Sequence, residues 1–359
     1  MWPNDRACQL FGIEHPILQA PMASATTPEL AAAVSKAGGL GSFGAAGTAP
    51  DKLRDVIRSI KALTDRPYNI NLFVPDWDPQ QLDAQAVQRM QARLQPFHDE
   101  LDLGPVPEPG PMFGPFDEQL DVMLDEGVPV VSLHFGAPAE AVARAHDAGA
   151  IVLSSATTVR EAKALVDAGV DGVIAQGAEA GGHRGTFIGD WNHAMIGTMA
   201  LVPQIADAVN VPVIAAGGLM DGRAISAAMT LGASAVQLGT AFLGCPESGI
   251  ADTYREALMA APEDQPQVTL AFSGKPARGL RNRYMQLIEQ EPESLLPFPA
   301  QYSIFRGIRA AAAKRGDPEY LALWAGQGVG HATCEPATEL FERLVREARA
   351  AMRAMQLPQ

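Results

Sequence analysis

Along the first 240 or so residues, hydrophobic and polar positions alternate between two periods. Short apolar runs bounded by glycine, proline, asparagine or aspartate read as buried strands, and longer stretches with apolar residues every three or four positions read as amphipathic helices. The runs predict strands over 17–20, 40–43, 68–74, 130–135, 151–154, 173–175, 213–216 and 235–238. Helices are predicted between them over 28–36, 51–63, 139–148, 159–168, 199–209 and 223–231. Thr27 suits an N-cap and Pro28 a first helical turn, while Gly38 and Gly39 stop that helix. In 51–63, Leu53, Val56, Ile57 and Ile60 make one apolar face.

Eight such units match an α/β fold closed as a (β/α)8 TIM barrel better than a doubly wound sheet, which normally stops at about five or six strands. The alternation breaks twice. Residues 75–127 read as an insertion with a helix over 79–94 and a proline-rich loop, GPVPEPGPMFGP, at 104–115; loops of this length are commonly lids or linkers. From Cys245 to about Gly330, prolines at 262, 266, 276, 292, 297 and 299 with scattered helical pieces predict a smaller, mostly helical unit. The expected organisation is a barrel over 1–244, the smaller unit over 245–330, and a C-terminal segment, 331–359, whose amphipathic helix (339–355) returns to the barrel.

Composition narrows the partners. A 47% hydrophobic content fills a large core, and a net charge of -14 with pI near 4.9 repels nucleic acid and anionic membranes. Residues 1–18 lack a signal-peptide pattern and 30–49 is broken by Lys36 and five glycines, so a cytoplasmic protein is expected. Cys8, Cys245 and Cys334 have no metal-type spacing, and no metal is expected.

In a TIM barrel the chemistry lies at the C-terminal strand ends. There, VDGVIAQGAEAGGHRGTF (170–187) runs from the sixth predicted strand into a glycine-rich loop carrying His183. Gly181 and Gly182 allow the backbone to lie against a flat ligand, beside a group able to move a proton. A lone histidine in such a loop is more often structural, so its surroundings decide. AAGGLMDG (215–222) and QLGTAF (237–242) follow the last two strands, and backbone N–H groups of Gly217, Gly218, Gly239 and Thr240 can converge on a phosphate. Either loop alone is explained by an ordinary tight turn; both together favour an anion. Asn69, Asn71, Gln176 and Gln237 put amides at strand ends, where unpaired burial is costly and a polar ligand explains them better. Met22 and Phe135 offer apolar contact to a ring system. Nothing resembles the GxGxxG fingerprint of a dinucleotide pyrophosphate, so a ligand with one terminal phosphate is expected.

These motifs, with QAPM (19–22), PELAAAVSKAGGLG (28–41), NLFVP (71–75), HFGAP (134–138), SGKPARGLRNRYM (273–285) and WAGQGVG (324–330), together resemble the nitronate monooxygenases, formerly called 2-nitropropane dioxygenases, particularly the bacterial class I. The resemblance implies a TIM barrel with a small substrate-covering domain, binding FMN non-covalently. It also implies oxidation of alkyl nitronates such as propionate 3-nitronate with O2, to a carbonyl compound and nitrite or nitrate. Asn71, Gln176, Gly181, Gly218, Gln237, Leu238, Gly239 and Thr240 are the implied FMN contacts and His183 the catalytic position; Met22 and Gly217 complete the expected cofactor set. His183 would hold the nitro group if protonated or take the α-proton of a nitroalkane if neutral. Arg278 and Arg281 either reach a substrate carboxylate or lie on the surface. One departure concerns Ala23, Ser24 and Ala25, which stand where the family usually has glycines. The rival on the same scaffold is an NADH-dependent quinone or enoyl-thioester reductase. A flavin-free phosphate-sugar isomerase or aldolase is disfavoured, because no lysine or carboxylate pair stands at the strand ends.

Overall fold

The computed structural model describes residues 2–75 and 82–355; the start of the helix expected over 79–94 falls outside the described residues, and the helix there runs Ala84–Glu100. Six parallel strands come first: β1 (Ile17–Gln19), β2 (Gly41–Gly44), β3 (Tyr68–Phe73), β4 (Val130–His134), β5 (Ile151–Ala156) and β6 (Gly172–Gln176). A two-residue β7 (Gly182–His183) precedes β8 (Val213–Ala216), β9 (Ala235–Leu238), β10 (Pro266–Thr269) and β11 (Ala277–Leu280). Eight of them form one parallel sheet in the order β1-β9-β8-β6-β5-β4-β3-β2, and a parallel bridge from Leu18 to Leu40 joins its two edges. This is the expected TIM barrel.

Period-2 alternation sorts the side chains. Ile70, Leu72, Val131, Leu133, Val173 and Ala175 point outward into the core shared with the surrounding helices. Leu18, Leu40, Val130, Leu153, Ile174, Ile214 and Ala235 fill the barrel interior, together with Ala7, Phe11 and Ile13 from the N-terminal segment. That end is dry and plugged. Toward the C-terminal ends the inward positions turn polar, through Ser42, Asn69, Asn71, Ser132, Ser155 and Gln176. The ring of helices is completed by Ala337–Met355, which packs on helices Gly222–Thr230 and Pro28–Lys36. The approach is close: a Cβ at Gly222 would lie 2.2 Å from the Ala348 nitrogen.

A second apolar core lies over the barrel mouth. It joins Met90, Leu94 and Phe97 of Ala84–Glu100 to Phe272, Tyr284, Ile304, Phe305 and Ile308. The expectation of a mostly helical cover is incomplete, because β10, β11 and β7 make a three-stranded antiparallel sheet within it. Ala277 pairs with His183 and Arg278 with Gly182. No local pattern announces so short a strand; its partner lies about ninety residues away. Helix Phe116–Asp125 also went unforeseen. It packs on Pro50–Leu63 and β3 as part of the barrel's helical ring, burying Leu120 and Met123. Among the described residues, no helix is long and apolar enough to cross a membrane.

Candidate active site

The loop that leaves β6 is held by buried charge. Arg184 is fully buried and donates from Nη1 to Gly177 O (2.6 Å) and from Nη2 to Gln176 O (3.1 Å) and Ala194 O (3.2 Å). Burial pushes its guanidinium down to about 10. Glu161, equally buried, accepts from the backbone N–H groups of Thr157 (2.7 Å), Phe187 (2.6 Å) and Ile188 (2.9 Å). The Arg184 Nε, by contrast, is buried with no hydrogen-bond partner among the described residues. Gln176 adds a clamp: its Nε2 donates to His183 O (2.9 Å) and its Oε1 accepts from Gly185 N (2.7 Å). The backbone on both sides of His183 is thereby fixed.

The imidazole of His183 sits in an aromatic box. Its centroid lies 5.4 Å from Trp324, 5.7 Å from Phe298, 5.8 Å from Phe73 and 6.2 Å from Phe135. Phe113, from the proline-rich loop, touches Phe73 and Phe298, so that loop and the cover meet over the histidine. Ser273 Oγ lies 3.0 Å from His183 Nε2. Beneath the loop, His134 reaches Ser155 Oγ with Nδ1 (3.0 Å) and the His183 carbonyl with Nε2 (3.3 Å). Sequence reasoning missed His134 as a site residue. The signal was its place on the inward alternation Val130, Ser132, His134.

Burial, helped by neighbouring His134 and Lys275, pushes His183 down to about 3. Burial, then Lys275 and Arg184, pushes His134 to about 4, against the raising pull of the His183 carbonyl. Both values place the rings in the neutral form near pH 7. The Lys275 ammonium lies 4.0 Å from the Phe135 ring centroid.

The glycine and amide positions divide by what they do. Gly217 (φ 116°), Gly218 (φ 73°) and Gly182 (φ 72°) adopt backbone that L side chains avoid. Gly181 has no positive φ; it is small because a Cβ there would lie 2.6 Å from Gly326 N. Thr240 Oγ1 accepts from that same Gly326 N (2.9 Å), stitching the loop after β9 to the cover. Gly239 is under no such demand, since an added Cβ would meet Ala20 Cβ at 3.5 Å and Met22 Sδ at 3.6 Å. The Leu238 side chain is buried in the barrel wall, leaving only its backbone for a ligand. Asn71 Nδ2 donates to Ser132 O and Oγ, both at 3.0 Å. Gln237 Oε1 and Asn69 Oδ1 are buried with no hydrogen-bond partner among the described residues.

Both arginines are engaged within the protein. Arg278 is buried and donates to Ala178 O (2.8 Å from Nη2) and Pro266 O (2.9 Å from Nη1), a clamp under the glycine loop. Arg281 pairs with Gln267 (2.7 Å) and Glu289 (3.5 Å) on the cover. Ser24 adopts φ 67°, the left-handed backbone for which glycine is the usual residue. Grooves beside the C-terminal helix, lined by His15, Phe341 and Arg349 or by Met220, Arg343 and Glu347, lie on the outer face and hold none of these groups.

A barrel whose polar mouth is ringed by glycine loops and roofed by aromatic side chains has the architecture of a TIM-barrel enzyme with its site at the C-terminal strand ends. The chain belongs to the nitronate monooxygenase family, whose model matches residues 4–347. It is 45% identical over 351 residues to the nitronate monooxygenase of Pseudomonas aeruginosa, covering 96% of this chain and 99% of that protein. A probable nitronate monooxygenase of Staphylococcus aureus is 39% identical, covering 98% and 99%. Among solved structures, the nitroalkane oxidase of Streptomyces ansochromogenes superposes with a TM-score of 0.90 at 39% identity, covering 98% of this chain and all of that one. FabK of Thermotoga maritima gives 0.77 at 32%, covering 98% of each. The enzyme is an oxidoreductase of a flavin-dependent family. The residues fit a flavin: the orphaned Gln237 oxygen awaits a donor, and Gly217 and Gly218 leave a concave backbone without side chains.

Proposed function

We propose that this chain binds FMN and oxidises small alkyl nitronates, of which propionate 3-nitronate is the test case, with O2. The observation that carries the reading is the placement of a neutral, boxed His183 at a barrel mouth whose other side is the Gly217–Gly218 backbone and the amides of Asn71, Gln176 and Gln237. When bound, the flavin supplies the electron-transfer chemistry that no side chain here carries. The backbone around Gly217, Gly218, Gly239 and Thr240 holds its phosphate, and Met22, Asn71, Gln176, Gly181 and Gln237 line its ring. Phe73, Phe113, Phe135, Phe298 and Trp324 keep bulk water from the cleft. Neutral His183 accepts the α-proton when the substrate arrives as a nitroalkane. A cytoplasmic setting belongs to the same reading.

Purified protein should be yellow, release FMN on heating, and bleach with propionate 3-nitronate under anaerobic conditions. FAD in the released fraction would overturn the cofactor, and bleaching by NADH but not by the nitronate would replace the activity with a reductase. Flavin-loaded His183→Asn should lose roughly 100 to 10,000-fold on a neutral nitroalkane. A preformed nitronate has no proton to lose and should suffer less. Wild-type rates on both would remove His183 from the chemistry.

A further inference from the structure

The outer face of the C-terminal helix carries a charge pattern that the barrel mouth does not use. Arg343, Arg346, Arg349 and Arg353 follow one another along Ala337–Met355. Arg343 is neutralised, 2.5 Å from Glu335 and 3.1 Å from Glu347. Arg346, Arg349 and Arg353 make no hydrogen bond or ion pair with the described residues, and all three line one groove of about 340 Å³. At spacings of three and four residues they share one side of the helix, where like charges repel. Glu342 is the one carboxylate in the lining, so three guanidinium groups against it leave an excess of two positive charges, in a chain whose net charge is -14.

The rest of the groove suits a ligand with an apolar body. Ala37, Phe341 and Val345 line it. His15 joins them, its ring centroid 5.9 Å from those of Trp2 and Phe341. The Arg349 guanidinium lies 5.7 Å from the Trp2 ring centroid, a cation–π contact that holds the charge in place without neutralising it. The His15 imidazole registers that charge: burial first, and then Arg349, lower it against the raising pull of Glu14. His15 and Ala37 precede β1 and β2, so the groove lies at the N-terminal end of the barrel strands, away from the mouth.

We propose that this groove binds a small organic phosphate, with Arg346, Arg349 and Arg353 on the phosphate oxygens and the apolar lining on the organic body. A guanidinium fork fits an oxyanion with two parallel hydrogen bonds. A phosphate dianion matches the excess of charge, where a monocarboxylate would leave half of it. A nucleic acid or an anionic membrane brings the same phosphate, but an extended polyanion meets the negative surface of the whole chain and is repelled. The groove's volume is in the range of small-ligand sites.

The test is calorimetric titration of flavin-loaded protein, whose barrel mouth is filled, with phenyl phosphate at low salt. Wild type should bind one equivalent, and more tightly than it binds inorganic phosphate. Arg349→Gln and Arg353→Gln should each weaken binding on the order of tenfold, the loss of one charge-assisted hydrogen bond, and the double variant should bind too weakly to measure. Arg89→Gln, on the cover, removes the same charge at a distance and should leave the affinity unchanged. Phenyl phosphate should raise the urea midpoint of the wild type and not that of the double variant. Arg353 makes no polar contact with the described residues, so Arg353→Gln alone decides the matter if the double variant does not fold. No binding to the wild type, full affinity in the arginine variants, or no preference over inorganic phosphate would overturn the proposal. Sedimentation of the wild type but not the double variant with phosphatidic acid vesicles would also overturn it, by making the site a membrane contact.

Discussion

At the scale of single residues, the site is made by neutralising groups that the sequence writes as charged or titratable. His183 and His134 lose their ordinary basicity to burial, and burial lowers Arg184 as well, whose Nη atoms donate to three backbone carbonyls while Glu161 accepts from three backbone N–H groups. Ser24 is a different case: its left-handed backbone is held by the loop, with no charge involved. Left-handed backbone costs a non-glycine residue about 1–2 kcal/mol, and the freedom glycine gains in the unfolded chain returns part of that. Ser24→Gly should therefore stabilise the fold by about 0.5–1 kcal/mol, read as a higher urea midpoint. A lower midpoint would mean that the loop, not the residue, sets this conformation.

At the scale of elements, the loops after β6, β8 and β9 are interlocked. Glu179 accepts from Thr198 N (2.8 Å) and Thr198 Oγ1 (2.8 Å), capping helix Thr198–Ala208 from outside, and its carbonyl takes Gln327 N (2.9 Å). Gly218 lies against that carboxylate's stem, with a would-be Cβ 3.1 Å from Glu179 Cβ. Gly218→Val meets both this contact and a positive φ, so it should lose flavin while keeping the far-UV spectrum of the barrel. Gly239→Ala meets only ordinary contacts and should stay yellow. Full flavin content in Gly218→Val would show that the phosphate cradle lies elsewhere.

At the scale of the whole molecule, two neutral buried histidines link stability to pH. Their folded values, about 3 for His183 and about 4 for His134, lie below the ~6.5 of an unfolded histidine, so the unfolded chain binds more protons through this window. Stability is intact above pH 6.5 and falls as the pH drops toward 4. With two protons taken up, the slope approaches about 2.7 kcal/mol per pH unit. Flavin-free protein should have a clearly lower urea midpoint at pH 5 than at pH 7, and a double His134→Asn, His183→Asn variant should flatten the difference. An unchanged slope in that variant would assign the acid sensitivity to other groups.

Periodicity alone determined the barrel. Apolar runs at 213–216 and 235–238 are strands of those limits in the structure, because a strand buried on both faces admits little but apolar side chains. The same logic made Asn71, Gln176 and Gln237 legible as mouth residues, since an amide on an inward strand position needs polar partners; Asn71 finds them in Ser132 and Gln176 in the loop after β6, while Gln237 Oε1 has none among the described residues. Helix Phe116–Asp125 was hidden behind a proline-rich loop, and its apolar face is explained only by Pro50–Leu63 and β3. Tertiary structure alone decided that Arg278 clamps a carbonyl, that Gly181 makes room for Gly326, and that His134 and Ser273 attend His183. Each of those facts joins residues brought together by closing the barrel or folding the cover onto it. Spacing along the chain records the period of an element, not which distant backbone will finally stand beside it.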